Sequence, residues 1–184
     1  MDQIKPVIDG GQFHFGENKV QEAVLKWQEL KEKNKTIDLH LLGPLQSNKV
    51  KKVFGIFDYI HSLDRNSLAE KISDEVQKKG FCPKIFIQVN LGKEKQKSGI
   101  EPNDLESFYE NCLPLKLDIV GTMCIPPDNQ DPKSFFKDLY YLNNKIKLSE
   151  ISMGMTNDYL DAIEYRSTYL RIGTGIFGKR TNQF

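Results

Sequence analysis

Seven short runs rich in β-branched and aromatic residues recur along this chain, with helical patterns between them, and that alternation constrains the fold more than any other feature. The runs are FHFGEN (13–18), DLHLLG (38–43), YIHSLD (59–64), KIFIQVN (84–90), LDIVGTMCI (117–125), EISMG (150–154) and YLRIGTG (169–175). Between the first two, residues 21–33 carry Val24, Leu25, Trp27 and Leu30 among charges, and later residues 68–79 carry Leu68, Ala69, Ile72 and Val76. Both spacings predict amphipathic helices. Asp64 or Asn66 can cap the second of these, and Lys78, Lys79 and Gly80 form a stop. Asp131 followed by Pro132 reads as a cap with proline at the first helical position. Strands separated by helices pair in parallel, because a parallel connection needs a crossover of about a dozen residues or more. The chain is therefore α/β. Seven strands fit either an open doubly wound sheet or a (β/α)8 TIM-type barrel short of one strand, and spacing alone does not choose.

At 184 residues the chain is sized for one domain over 1–184. Its 39% apolar and 28% charged residues allow a real core. Lys plus Arg number 26 against 25 Asp plus Glu, so no net field draws the chain to nucleic acid or an anionic membrane. No apolar stretch approaches the roughly 20 residues that span a bilayer, and Met1 is followed by Asp2 rather than a basic leader, so the cytoplasm is the expected location. Cys82, Cys112 and Cys124 lack metal-type spacing and read as reduced, partly buried thiols.

Gly173, Gly175 and Gly178 spell G-x-G-x-x-G, but the dinucleotide fingerprint needs a following helix, a further strand and an acid about 20 positions on. Only six residues follow Gly178, so that reading fails. What survives is a glycine-rich turn after the last strand, where backbone N–H groups can meet an anion, or else a plain chain-terminal turn. Upstream, Ser152, Gly154 and Thr156 sit where a strand gives way to a helix from Asn157, a junction that suits phosphate. In a barrel these two junctions would be neighbours. Arg171 precedes the glycines in a chain with four Arg against 22 Lys, and marks either a planar, permanently charged donor or a strand-end ion pair. His14, His40 and His61 each lie in a strand run amid apolar residues, which favours hydrogen-bonded core histidines over a metal site. Asn18, Gln46, Asn48 and Lys49 follow strands, where a βα loop meets either a ligand or solvent. The charged loop 92–99 reads most simply as a solvated connection, although loops after strands are also where barrel enzymes place function.

Several blocks, taken in order, resemble the pyridoxal-phosphate homeostasis protein family, single-domain barrels akin to the N-terminal domain of alanine racemase. They are HFGEN with QE (14–22), HLLGPLQSNK (40–49), QVN followed by KSG (88–99), GTMCIP (121–126), SMGMTNDY with AIE (152–164) and LRIGTGIFG (170–178). The resemblance implies pyridoxal 5'-phosphate (PLP) at the C-terminal end of the strands. It implies a protein that buffers or delivers PLP, affects vitamin B6 and amino-acid balance, and has no catalytic turnover of its own. Residue by residue, it places Ser152 and Thr156 as hydroxyls near the phosphate and Met153 with Gly154 in the turn. Gly173 and Thr174 become the last-strand phosphate grip, Arg171 the neighbour of the pyridine nitrogen, and Asn18 a residue close to the cofactor. PLP-dependent apoenzymes are the implied recipients, and a monomer is expected.

The family forms its Schiff base with a lysine in a V-S-K-T-like segment ahead of the helix preceding HFGEN, and here residues 1–10 already read as that helix. The first strand and its lysine are thus expected to lie outside this sequence, in keeping with seven strands rather than eight. Other departures are Lys19, Leu39 and Arg166, where the family often has Tyr, Trp and Gly. Lys49 and Lys97, on βα loops, are the candidates to replace the lysine. Two other readings stand beside the carrier: a racemase-like PLP enzyme, which needs a lysine and a second acid or base, and a shortened form that does not bind PLP covalently.

Overall fold

All seven β-rich runs form strands, and each pairs in parallel with the next one along the chain. The computed structural model describes residues 3–94 and 98–178. Its first half runs α1 (Lys5–Asp9), β1 (His14–Glu17), α2 (Val20–Lys33), β2 (Asp38–Leu41), α3 (Val50–Val53), β3 (Tyr59–Leu63), α4 (Asn66–Lys79) and β4 (Lys84–Gln88). Then follow α5 (Leu105–Cys112), β5 (Ile119–Met123), α6 (Pro132–Lys145), β6 (Glu150–Met155), α7 (Tyr159–Glu164), β7 (Tyr169–Arg171) and α8 (Thr174–Phe177).

Strand order decides between the two architectures that spacing left open. A doubly wound sheet reverses its order at a switch point, whereas here the order runs from β1 to β7 without reversal. The two ends also come round to each other: the His14 ring at the start of β1 meets the Tyr169 ring of β7 edge-on, 6.4 Å between centroids. The fold is a nearly closed seven-stranded α/β barrel.

Apolar side chains separate into two compartments. A large core lies between sheet and helices, with the Trp27 ring of α2 tilted against Phe15 of β1 at 4.9 Å and Ile72, Phe136 and Leu139 fully buried. Trp27 N–H is satisfied by Glu17 Oε1 at 2.7 Å. A small inner cluster of Tyr59, Phe86 and Met123, with Tyr169 against it, fills the barrel.

The helix ends follow local chemistry, with one correction. Asp131 Oδ1 accepts from Lys133 N at 3.1 Å to cap α6, and Gly80 ends α4 in the left-handed region at φ 66°. Neither Asp64 nor Asn66 caps α4; Arg65 occupies the cap position without a side-chain cap bond, and Asp64 instead accepts from the Arg65 guanidinium. Charge pairing competes with capping at that corner.

Two glycines are required by backbone geometry. In β6, Ser152 pairs with Tyr169 and Met155 with Arg171, so three steps on β6 match two on β7. Gly154, at φ 91°, is in that irregular step, and a Cβ there would lie 2.6 Å from Ala162 Cβ. At Gly43, just past β2, a Cβ would fall 2.1 Å from the Asn18 carbonyl oxygen.

Candidate functional site

The C-terminal ends of the strands carry a cavity of about 830 Å³, with Asn18, Gly43, Gln46, Lys49, Asn90 and Ile125 among its lining. Its wall is built by the loops after β1, β2, β4 and β5, the face where such barrels place function. Asn18 enters it because Gly43 lets the loop after β2 press directly on the Asn18 backbone. Asn90, which sequence reasoning did not single out, anchors the loop after β4: its Oδ1 accepts from Glu94 N at 3.3 Å, and its Nδ2 donates to Glu94 O at 3.1 Å. Gln88 Nε2 donates to Ser98 O at 3.0 Å across the same loop. The sequence signal for this pair was the QVN and KSG blocks, one ending a strand run and the other lying in the charged stretch after it. Lys97 lies outside the described residues.

A second group gathers where β6 and β7 end. Arg171 Nη1 donates to Ser152 Oγ at 2.7 Å and Nη2 to the Cys124 carbonyl at 2.8 Å. No carboxylate pairs with Arg171 among the described residues, which removes the ion-pair reading and leaves a half-buried guanidinium with donors to spare. Burial lowers its pKa from the ordinary arginine value, yet arginine stays charged at any working pH. Gly175 N donates to Thr156 Oγ1 at 3.2 Å, tying the turn after β7 to the loop after β6. Gly173 and Thr174 are exposed at that turn, and nothing lies within 4 Å of where a Gly173 Cβ would stand. The two groups adjoin at β5, since Cys124 holds Arg171 and the next residue, Ile125, lines the cavity.

Two candidate residues sit elsewhere than the sequence placed them. Met153 is within β6, not in a turn; its side chain is fully buried in the outer core and its carbonyl accepts from Ser167 Oγ at 2.7 Å. Strand β6 runs one residue longer than its apolar run, to Met155, because the irregular step at Gly154 keeps the backbone in the sheet. Ser152 is also fully buried, beneath the rim where Thr156 and Gly173 lie, with its hydroxyl engaged by Arg171 and His61.

The histidines form a chain that no spacing rule foretold. His14 Nδ1 lies 3.1 Å from His40 Nε2, His40 Nδ1 lies 2.9 Å from His61 Nε2, and His61 Nδ1 lies 2.9 Å from Ser152 Oγ. His40 and His61 are core histidines as expected, but His14 is exposed, since it opens the strand at one end of the sheet. Burial, with the His14 and Lys31 charges, pushes His40 down to about 3, and burial also holds His61 well below the usual range.

Fold and site define a barrel of the alanine racemase type, and comparison with known proteins agrees. The sequence profile of the family "Alanine racemase, N-terminal domain" matches residues 2–181, and the chain belongs to it. Within it, the chain belongs with the pyridoxal phosphate homeostasis proteins. It is 38% identical to the one from Aquifex aeolicus, over 90% of this chain and 76% of that protein, and 36% identical to the one from Pasteurella multocida, over 98% and 84%. The structure of PipY from Synechococcus elongatus with PLP bound matches at TM-score 0.88 and 35% identity, covering 95% of this chain and 86% of PipY. Alanine racemase of Clostridium difficile shares the fold at TM-score 0.73 and 13% identity.

Proposed function

We propose that this chain binds pyridoxal 5'-phosphate at the mouth of the barrel and holds it for PLP-dependent apoenzymes, without turning over a substrate of its own. The observation that carries the reading is Arg171: a guanidinium fixed by two acceptors, Ser152 Oγ and Cys124 O, with no carboxylate partner among the described residues. The donor set around it fits the cofactor. Thr156 Oγ1 already accepts from Gly175 N, so its proton is free for a phosphate oxygen, and the N–H groups of the Gly173–Thr174 turn stand beside it. Arg171 would donate to the ring nitrogen, Ser152 would hold Arg171, and Asn18 would flank the ring from the cavity side. Met153 keeps its side chain in the outer core.

PLP, when bound, supplies an aldehyde and an electron-accepting ring. A permanent cation donating to the ring nitrogen opposes its protonation and weakens that electron sink. The relatives named homeostasis proteins, and PipY with PLP bound, support the carrier reading. The fold, shared with alanine racemase, is the only support for turnover, and a fold does not by itself carry function. We place the protein in the cytoplasm, since its three free cysteines suit a reducing compartment, and we take it to act as a monomer; no helix among the described residues is long and apolar enough to cross a membrane.

Equilibrium dialysis against PLP tests the reading, with borohydride reduction and intact mass alongside it. Retention with Kd below about 1 mM, roughly 4 kcal/mol of binding, is expected. An adduct on Lys49, which lines the cavity, would add a covalent anchor to the same site. Failure to retain PLP at that level overturns the proposal, and alanine racemisation above the rate of free PLP overturns its non-catalytic part.

A further inference from the structure

The interior histidines have a direction. Arginine only donates, so the Arg171 Nη1 bond at 2.7 Å makes Ser152 Oγ an acceptor there. Ser152 is fully buried and its own proton needs an acceptor; among the described residues that acceptor is His61 Nδ1, 2.9 Å away. His61 then carries its proton on Nε2 and donates it to His40 Nδ1 at 2.9 Å. His40 in turn donates from Nε2 to His14 Nδ1 at 3.1 Å. The opposite order sends two donors into Ser152 Oγ and leaves a buried hydroxyl proton with nothing to meet, the costly arrangement for a polar group out of water.

We propose that Ser152, His61, His40 and His14 form one directional hydrogen-bond column, every buried imidazole neutral with its proton on Nε2, and that the column positions Arg171. The column keeps the Ser152 lone pairs turned toward Arg171. With Cys124 O taking the other terminal nitrogen at 2.8 Å, two fixed acceptors set the plane of the guanidinium. The rings are held in place by stacking: His40 lies on Tyr59 at 4.0 Å and 13° between planes, and His61 on Phe86 at 4.2 Å and 17°. An imidazolium inside the column would donate from both nitrogens and break the order. Burial disfavours that charge at His40 and His61 alike. Of the three histidines only His14, exposed at the start of β1, meets water, with Asp38 Oδ2 3.7 Å from its Nδ1.

Two arms test the column. Two-bond ¹H–¹⁵N NMR of the unmodified protein at pH 7 reads each tautomer directly, and neutral Nε2–H forms are expected for His40 and His61. A protonated ring or an Nδ1–H form at either overturns the column. The second arm rests on the PLP reading and compares His61→Asn, whose Oδ1 can still accept from Ser152, with His61→Leu, which fills similar space and accepts nothing. His61→Asn is expected to hold PLP within about 3-fold of the parent. His61→Leu should weaken it by about 10-fold or more and shift the absorption band of the bound cofactor. Equal PLP affinity and spectra in the two variants overturn the positioning role. If His61→Leu does not fold, the tautomers of the parent protein still decide the column. If the parent does not bind PLP, the functional reading falls while the NMR arm stands apart.

Discussion

Arg171 and Ser152 lie on adjacent strands and are joined by a 2.7 Å hydrogen bond, yet they are not register partners: Ser152 pairs with Tyr169, and Arg171 with Met155. The guanidinium reaches back along the barrel to a serine two residues behind its own level on β7. The extra residue in β6 at Gly154 lets the strand regain its pairing beyond Ser152. The consequence is a cation held from below by a buried hydroxyl while its remaining donors stay uncommitted.

Replacing Arg171 by lysine keeps the charge but loses the planar fork that reaches Ser152 Oγ and Cys124 O together. Arg171→Lys is expected to weaken PLP binding by about 10-fold or more, with an unchanged far-UV spectrum. Parent-like affinity in dialysis would show that the guanidinium does not touch the ligand.

Glycines 43 and 173 separate folding from binding. Gly43→Ala drives a methyl to within 2.1 Å of the Asn18 carbonyl oxygen, backbone against backbone, and should cost about 1–3 kcal/mol in urea unfolding while shifting Asn18 from the cavity wall. Gly173→Ala meets open space at φ −109° and should leave stability within about 0.5 kcal/mol, while crowding the turn proposed to grip phosphate. A Gly43→Ala midpoint equal to that of the parent would contradict the close approach.

Acid should destabilise the fold through its interior. His40 is held at about 3 and His61 well below its usual value, each mainly by burial. Both folded-state pKa values lie below the unfolded one near 6.5, so the unfolded chain binds more protons. Their contribution is fully present above about pH 6.5 and falls as pH drops below it, for His40 down to about 3, at a slope of about 1.4 kcal/mol per pH unit for a histidine that stays neutral in the folded state. Urea unfolding at pH 7, 6 and 5 measures the slope. His40→Asn should flatten it, and a pH-independent stability over that range would contradict a neutral interior.

The thiols should differ in reactivity by burial. Desolvation pushes Cys124 up to about 12 and Cys112 up to about 11, and Cys82, half-buried, is raised as well. The thiolate is the reactive form, so a disulfide reagent at pH 7.5 should label Cys82 first, with Cys112 and Cys124 following only in denaturant. Rapid labelling of Cys124 in the native protein would contradict its place behind Arg171.

Periodicity in the sequence determined the elements and their order. Alternating runs found all seven strands of the described residues, because a half-buried parallel strand and an amphipathic helix each write their period locally. The cap at Asp131 and the stop at Gly80 were likewise legible, since each depends on neighbours within a few residues. Motif blocks proposed Asn18, Ser152, Met153, Thr156, Arg171, Gly173 and Thr174 as the cofactor's neighbours. Tertiary structure alone decided what depends on register. Closure of the sheet brought His14 to Tyr169, and the step at Gly154 put Met153 in the outer core and Ser152 under Arg171. Most of all it joined His61 to Ser152, 91 positions apart. A side chain facing into a barrel finds its partner by strand tilt and pairing level rather than by local spacing, so the residues that fix Arg171 became visible only once the strands were assembled.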